Sequence, residues 1–382
     1  MSLLAFVMAC AALAVGASGG GPEAIDADRA RAEVIRAAVA RAEPTVVTLE
    51  TIGGAQPLVG TPSGGPAAAP ERFRLADGPT TGILLSPDGL ILTSSVNFAR
   101  NPAIITVTLA DGSRHVGRRL GVDYIRRLAL VRIDVEGLSA CDWVAVDELR
   151  VGQYVIACGR GLGGEHVAPS MGILSAIGRR NGNAVQTDAK TSPANYGGPL
   201  LDIEGRVIGV IVPMAGAGGV LAGTQWYDSG IGFAVPKDRI DAVLDRLRAG
   251  EVIERGKIGV VLEPDDADAV PFLDDLFQWT EGVKITAVAR RSPAAEAQLK
   301  PGDRITALDG LATGDLLEIQ RRLSDRAAGE TVTLTIKRRW RKAFEVAITL
   351  ARPSAIGGLG DEPPEVSTEA DGPTPATRPA SD

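Results

Sequence analysis

Between Thr81 and Pro236 the sequence is a succession of short apolar runs: "GILLS", "LILTS", "IITVTL", "LALVRI", "YVIACG", "GVIVPM" and "GIGFAVP". Asp-Gly, Glu-Gly and similar turn pairs break them at close intervals. Runs this short, bounded by turn residues, read as strands and not as helices, and many in succession define an antiparallel barrel or sandwich. Composition agrees, with 46 Gly, 24 Pro and only 4% aromatic residues. A helical bundle would not tolerate so many breakers. The fold class is therefore mostly β.

At 382 residues the chain suits two or three folded units. A hydrophobic content of 45% with 23% charged residues fits a soluble globular protein. The net charge of −7 gives no electrostatic reason to expect nucleic acid as a partner. Residues 3–15 are apolar, and Val15-Gly16-Ala17 has the small-residue form of a cleavage site, so residues 1–17 read as an export signal. The segment lacks Lys and Arg before its apolar run. It is also short for a ~20-residue span, so no stable membrane span is expected after its removal. Cys10 follows "FVMA", but the apolar run continues past it, which argues against lipidation there. The expected location is periplasmic or extracellular. In that compartment Cys141 and Cys158 have the option of pairing, which sequence leaves open.

Residues 23–43 read as a helix, ended by Pro44. Residues 44–250 then form the main β domain, interrupted at 53–70 by a Gly/Pro/Ala-rich stretch expected to be a mobile loop. Near its end, Ile240, Val243, Leu244 and Leu247 recur at helical spacing, with Gly250 as a stop. Residues 252–351 read as a separate small α+β domain, with a helix beginning after Asp315 in a capping-box pattern with Glu318. Residues 352–382 lack large apolar side chains and are expected to be a disordered tail.

Five stretches, in order, carry a resemblance: "TTGILLSPDGLILTSS", "GVDYIRRLALVRI", "PSMGILSAIGR", "ANYGGPLLDIEGRVIGV" and "GIGFAVP". Residues from about 45 to 351 resemble the HtrA/DegP family, in which a chymotrypsin-like double β-barrel serine protease precedes a PDZ domain. That resemblance places the family's catalytic histidine at Val96, its aspartate at Arg127 and its serine at Tyr196. The loop that supplies oxyanion donors would contain Ala194 and Asn195, with Ala194 where the family has glycine. Each triad change removes a role. Valine has no lone pair, arginine cannot orient an imidazolium, and a phenol titrating near ~10 is a poor nucleophile without a base. A tyrosine ring at 196 is expected to fill the former pocket, with Arg127 near enough for a cation–π contact. The resemblance thus implies a pseudoprotease. The alternative is an active endopeptidase with displaced catalytic residues, for which Lys190 and Ser192 are the candidate dyad.

His115 and His166 read as loop histidines, and no metal or cofactor pattern stands out. The run "KRRWRK" at 337–342 has the charge to suggest nucleic acid or anionic lipid, but its position favours a charged hairpin between two strands. In the PDZ-like part the resemblance makes Ile258, Gly259, Val260 and Val261 the carboxylate loop and its strand. Leu316, Ile319 and Leu323 lie on the helix that would wall the groove, some of them serving the core. The implied partners are C-terminal peptides or unfolded protein segments, captured as an added strand. Assembly with copies of itself or with active relatives is a further implication.

Overall fold

The computed structural model of the chain describes residues 22–52, 79–98, 102–161, 166–213, 230–263, 282–339 and 341–357. The leader at 1–17, the loop at 53–70 and the tail beyond 357 lie outside the described residues. Two compact units divide the chain, residues 1–254 and 255–382.

The first unit opens with helix α1 (Pro22–Ala42), which Pro44 converts into a single 3-10 turn. A ring of strands follows: β1 (Val46–Ile52), β2 (Thr80–Leu84), β3 (Leu90–Ser94), β4 (Ile104–Thr108), β5 (Arg114–Asp123) and β6 (Leu128–Arg132). The order is β5-β4-β1-β2-β3-β6, and pairing of β5 with β6 closes it. Alternation is clean in β4, where Ile105 and Val107 are buried and Ile104 is exposed. β2 and β3 break that pattern, because every residue in both is buried. Such strands need cover on both faces.

A second closed ring supplies the cover. It comprises β7 (Tyr154–Gly159), β8 (Ala168–Arg179), β9 (Ala184–Thr187), β10 (Pro199–Leu201), β11 (Val207–Ile211) and β12 (Gly232–Pro236). Helix α2 (Lys237–Arg248) leaves β12 and buries Ile240, Val243 and Leu247, while Leu244 is half-buried. Gly250, at φ 85°, ends it. Its N–H reaches Leu247 O at 3.1 Å and the Glu251 N–H reaches Arg246 O at 3.0 Å, a Schellman cap. The chain then forms β13 (Val252–Ile253), which pairs parallel to β5. Residues 252–254 thus belong to the first unit, not to the small domain where the sequence reading began it, because their backbone groups complete the edge of β5.

The second unit contains β14 (Val260–Leu262), β15 (Val283–Val288), the short helix α3 (Pro293–Glu296), β16 (Arg304–Leu308), β17 (Leu311–Ala312), helix α4 (Leu316–Leu323), β18 (Thr331–Lys337) and β19 (Phe344–Thr349). Its sheet runs β14-β15-β16-β18-β19, with β17 beside β16. Asp315 caps α4 by accepting the Glu318 N–H at 2.6 Å. The Glu318 carboxylate returns to the Gly314 N–H at 3.2 Å, one residue before the cap itself. Residues 353–355 form a 3-10 turn, so the expected tail begins with an ordered segment.

A buried ion pair braces this unit. Asp303, whose side chain is 2% exposed, receives both Arg338 Nε and Nη2 at 2.7 Å. Burial pushes its carboxyl up, but hydrogen bonds from Arg338 and the Lys300 N–H, with their charges, leave it below the usual carboxylate value. A carboxylate depressed in the folded state contributes stability above its unfolded pKa of ~3.9, and that stability is lost as pH falls through the folded value. Asp303→Asn is expected to destabilise the protein by about 2 kcal/mol at pH 7. It should also remove part of the stability loss below about pH 4, as read by denaturant melts across pH.

Candidate functional site

Three chain segments converge where the two barrels meet. β3 runs directly into the 3-10 turn Ser95–Phe98, which carries Val96. The Ser95 N–H donates to Arg127 O at 2.8 Å, so positions 96 and 127 stand side by side. Arg127 closes the β5–β6 turn in the left-handed region, at φ 63°. Asp123 builds that turn: its Oδ1 accepts the N–H groups of Ile125 and Arg126 at 2.7 and 3.0 Å, and its Oδ2 pairs with Arg126 at 3.0 Å. The third segment joins through Asn97, whose Nδ2 donates to Thr93 Oγ1 at 2.9 Å and to Tyr196 O at 3.4 Å. Val96, Arg127 and Tyr196 therefore come from segments in mutual contact.

The loop before β10 is held by close backbone approaches. A Cβ on Gly197 would lie 2.2 Å from Thr81 O, and one on Gly198 would lie 2.2 Å from Cys158 O. On the facing side, Gly159 and Gly161 leave no room for a side chain against Asn195 and Ala194. Thr81 Oγ1 accepts the Arg160 N–H and donates to Ala194 O, both at 2.8 Å, tying the first barrel to the loop of the second. Asn195 braces the loop, accepting the Ser192 N–H at 2.7 Å and donating to Lys190 O at 3.2 Å.

Residues 192–196 form one tight turn, in which the N–H groups of Asn195 and Tyr196 both donate to Ser192 O, at 3.0 and 3.2 Å. An oxyanion hole requires N–H groups aimed at the place where charge develops. Here the Tyr196 N–H is engaged within its own loop. Tyr196 is 9% exposed and packs with the second barrel's core, beside residues such as Val155, Leu174 and Leu200. Burial pushes both the Cys141 and Cys158 thiols up to about 12, which leaves them thiols at neutral pH.

The other candidates are spread out. Lys190 is exposed, with its N–H on Ser170 Oγ at 3.0 Å, and Ser192 is half-buried. His115 lies on β5 with Nε2 2.9 Å from Ser113 Oγ. His166 is largely exposed, with Nδ1 3.6 Å from Glu43. Among the described residues no group of three or more His, Cys, Asp or Glu side chains could hold a metal ion. Sequence reading passed over Thr81, Thr93 and Asn97. Threonine in a strand looks like an ordinary β-former, and only the facing loop reveals its hydroxyl as a bridge.

In the second unit β14 stands at the sheet edge, paired with β15 and, among the described residues, with no strand beyond it. Gly259 precedes it at φ 87°, and a Cβ there would lie 2.3 Å from Ser292 Cβ. The carbonyls of Ile258 and Gly259 accept the N–H groups of Ala294 and Ala289 at 3.0 and 2.9 Å, which fixes the direction of the loop. Val261 is exposed and Val260 half-buried. Ile258 and Ile319 are core side chains, so neither lines an open groove, while Leu316 and Leu323 are half-buried against the same core.

A family model described as a trypsin-like peptidase domain matches residues 80–210, and one described as a PDZ domain matches residues 256–349. A probable periplasmic serine endoprotease, DegP-like, of Chlamydia pneumoniae is 32% identical over 286 residues, covering 73% of this chain and 56% of the relative. The chain thus spans little more than half of that relative's length. The crystal structure of the serine endoprotease from Yersinia pestis superposes with a TM-score of 0.60 at 25% identity, covering 83% of this chain and 97% of that one. The HtrA-type protease AlgW with decapeptide gives 0.59 at 26% identity, covering 85% and 98%. These matches define the class as a trypsin-fold serine protease domain followed by a PDZ domain. Within that class the chain is HtrA/DegP-like.

Packing of Tyr196 into the second barrel's core has a direct consequence. Tyr196→Ala is expected to destabilise the protein by about 3 kcal/mol, the scale of a buried aromatic truncation. Unchanged thermal stability in a calorimetric melt would show that the ring is not filling that space.

Proposed function

We propose that the chain is an exported, catalytically inactive HtrA-like protein that binds peptides or unfolded protein segments through its PDZ domain. The observation that carries this reading is the set of side chains at the convergent positions. Val96 offers no base, Arg127 no carboxylate and Tyr196 no small hydroxyl. The inward-turned Tyr196 N–H supports it, since the loop also lacks one free donor for an oxyanion. Export is supported by the apolar stretch at residues 3–15 and by relatives named periplasmic. No helix among the described residues is long and apolar enough to cross a membrane.

Binding is supported by the edge position of β14. An extended peptide adds to such an edge through main-chain hydrogen bonds, and the loop at Ile258 and Gly259 receives its carboxylate. Val260, Val261, Leu316 and Leu323 offer apolar surface to its side chains. AlgW, which shares this fold, is described with a decapeptide. Assembly with copies of itself or with active relatives belongs to the same proposal.

Purified protein and its Tyr196→Ser variant are both expected to leave fluorescent unfolded casein intact, because one restored hydroxyl still lacks a base and an orienting acid. Cleavage by the native chain that disappears on mutating Lys190 or Ser192 would instead establish an endopeptidase with displaced chemistry. Binding is tested separately by titrating a library of C-terminal peptides. Gly259→Pro, which removes an N–H and forbids the left-handed φ, is expected to abolish saturable binding. A variant in Ser292 or Ala294 would not serve as a control, because both hold the same loop. Retained affinity in Gly259→Pro would rule out this edge as the site.

A further inference from the structure

Three chain segments build the loop at Ile258 and Gly259, and each brings in a cation. Lys257 precedes the loop and pairs through both main-chain groups with Ala351, at 2.9 and 3.0 Å, so Arg352 follows directly beside that bridge. Arg290 and Arg291 lie between Ala289 and Ala294, the two residues whose N–H groups the loop carbonyls accept. The chain beyond Arg352 returns to the same place: a Cβ on Gly357 would lie 2.9 Å from Arg290 O and 3.6 Å from Arg291 Nε. Lys257, Arg290, Arg291 and Arg352 are all exposed, and among the described residues their side chains have no hydrogen bond or ion pair. Most carboxylates described in this unit are committed elsewhere. Asp303 is held by Arg338, Asp309 and Glu330 by Arg326, Glu318 by Arg322 and Glu263 by Lys284. Glu296, exposed on α3, pairs with neither Arg290 nor Arg291. Cations without partners thus gather around the carboxylate loop, in a chain whose net charge is −7.

On the reading that a peptide adds to the β14 edge, the main-chain N–H groups of the loop already answer its terminal carboxylate. The surrounding cations exceed what that one charge needs. We propose that Lys257, Arg290, Arg291 and Arg352 select peptides with acidic side chains next to the terminal carboxylate, the next-to-last residue first. Successive side chains of an extended peptide point to opposite faces. With the last one against the apolar surface of Val260 and Leu316, its neighbour turns outward beside the loop and its cations. Their attraction acts through water as a summed field and falls off over a Debye length of about 10 Å at moderate salt. Such a field discriminates between partners more than it adds to tight packing. A small basic patch on an acidic molecule gives a long polyanion little to follow, which favours a short acidic peptide end.

The test is fluorescence anisotropy of the full chain with labelled peptides that end in an apolar residue, made in pairs with Glu or Gln at the next-to-last position. At low salt the Glu peptides are expected to bind about tenfold tighter, and the difference is expected to shrink as salt rises. The combined variant Lys257→Gln, Arg290→Gln, Arg291→Gln, Arg352→Gln changes no main-chain group of the loop. It is expected to bring the two affinities of each pair together, with the melting temperature of the native chain. Equal binding of paired peptides at low salt would overturn the selection and leave the edge site in place. A preference for Glu that survives in the variant would assign it to other residues and likewise overturn the proposal. Saturable binding of no peptide in either form would remove the edge site itself, and this selection with it. Tighter capture of anionic vesicles or of a short duplex DNA through the same four residues would also overturn the proposal and assign the patch to that partner.

Discussion

The seam between the two barrels depends on main chains approaching more closely than any side chain allows. Gly197 and Gly198 bring the loop before β10 against Thr81 and Cys158, while Gly159 and Gly161 accept Asn195 and Ala194 from the other side. A Cβ at any of these positions would fall within 2.4 Å of a neighbouring atom. Because the contact is so tight, polar groups there must pair among themselves. Thr81 and Asn97 do this, linking strand, turn and loop into one unit. The same contact covers the outer faces of β2 and β3 and explains why they carry no exposed residue.

That scaffold fixes three segments through main-chain bonds and the side chains of Thr81, Thr93 and Asn97. A fold and the chemistry placed on it impose separate demands on a sequence. Tyr196 contributes to the core of the second barrel, so it has a packing role of its own. The PDZ-type unit makes the same separation. Ile258 and Ile319 hold its core, while Val261 is exposed and, among the described residues, no strand pairs with the outer edge of β14.

Much of the architecture was legible because short apolar runs bounded by turn residues have few ways to bury themselves. The helix signals were equally readable: Gly250 ends α2 and Asp315 caps α4 as their residue types suggest. The start of the small domain was misread at Val252, since an apolar pair looks the same whether it opens a new sheet or completes an old edge. Thr81 and Asn97 were invisible for a related reason. Their partners lie about a hundred positions away, and no local pattern marks a long-range hydrogen bond.

The sequence by itself determined which side chains stand at positions 96, 127 and 196, because valine, arginine and tyrosine are read from residue type alone. Period and punctuation also marked seven strands between Thr81 and Pro236, where the described residues form eleven, because β5, β8, β9 and β10 lack a short uninterrupted apolar run of their own. Only the tertiary structure decided that the Tyr196 N–H turns inward to Ser192, that its ring is buried, and that Lys337 faces Arg304 across a sheet. These facts follow from closure of the barrels and from strand register. Both are set by the summed packing of residues far apart in the chain, and no single stretch of sequence contains them.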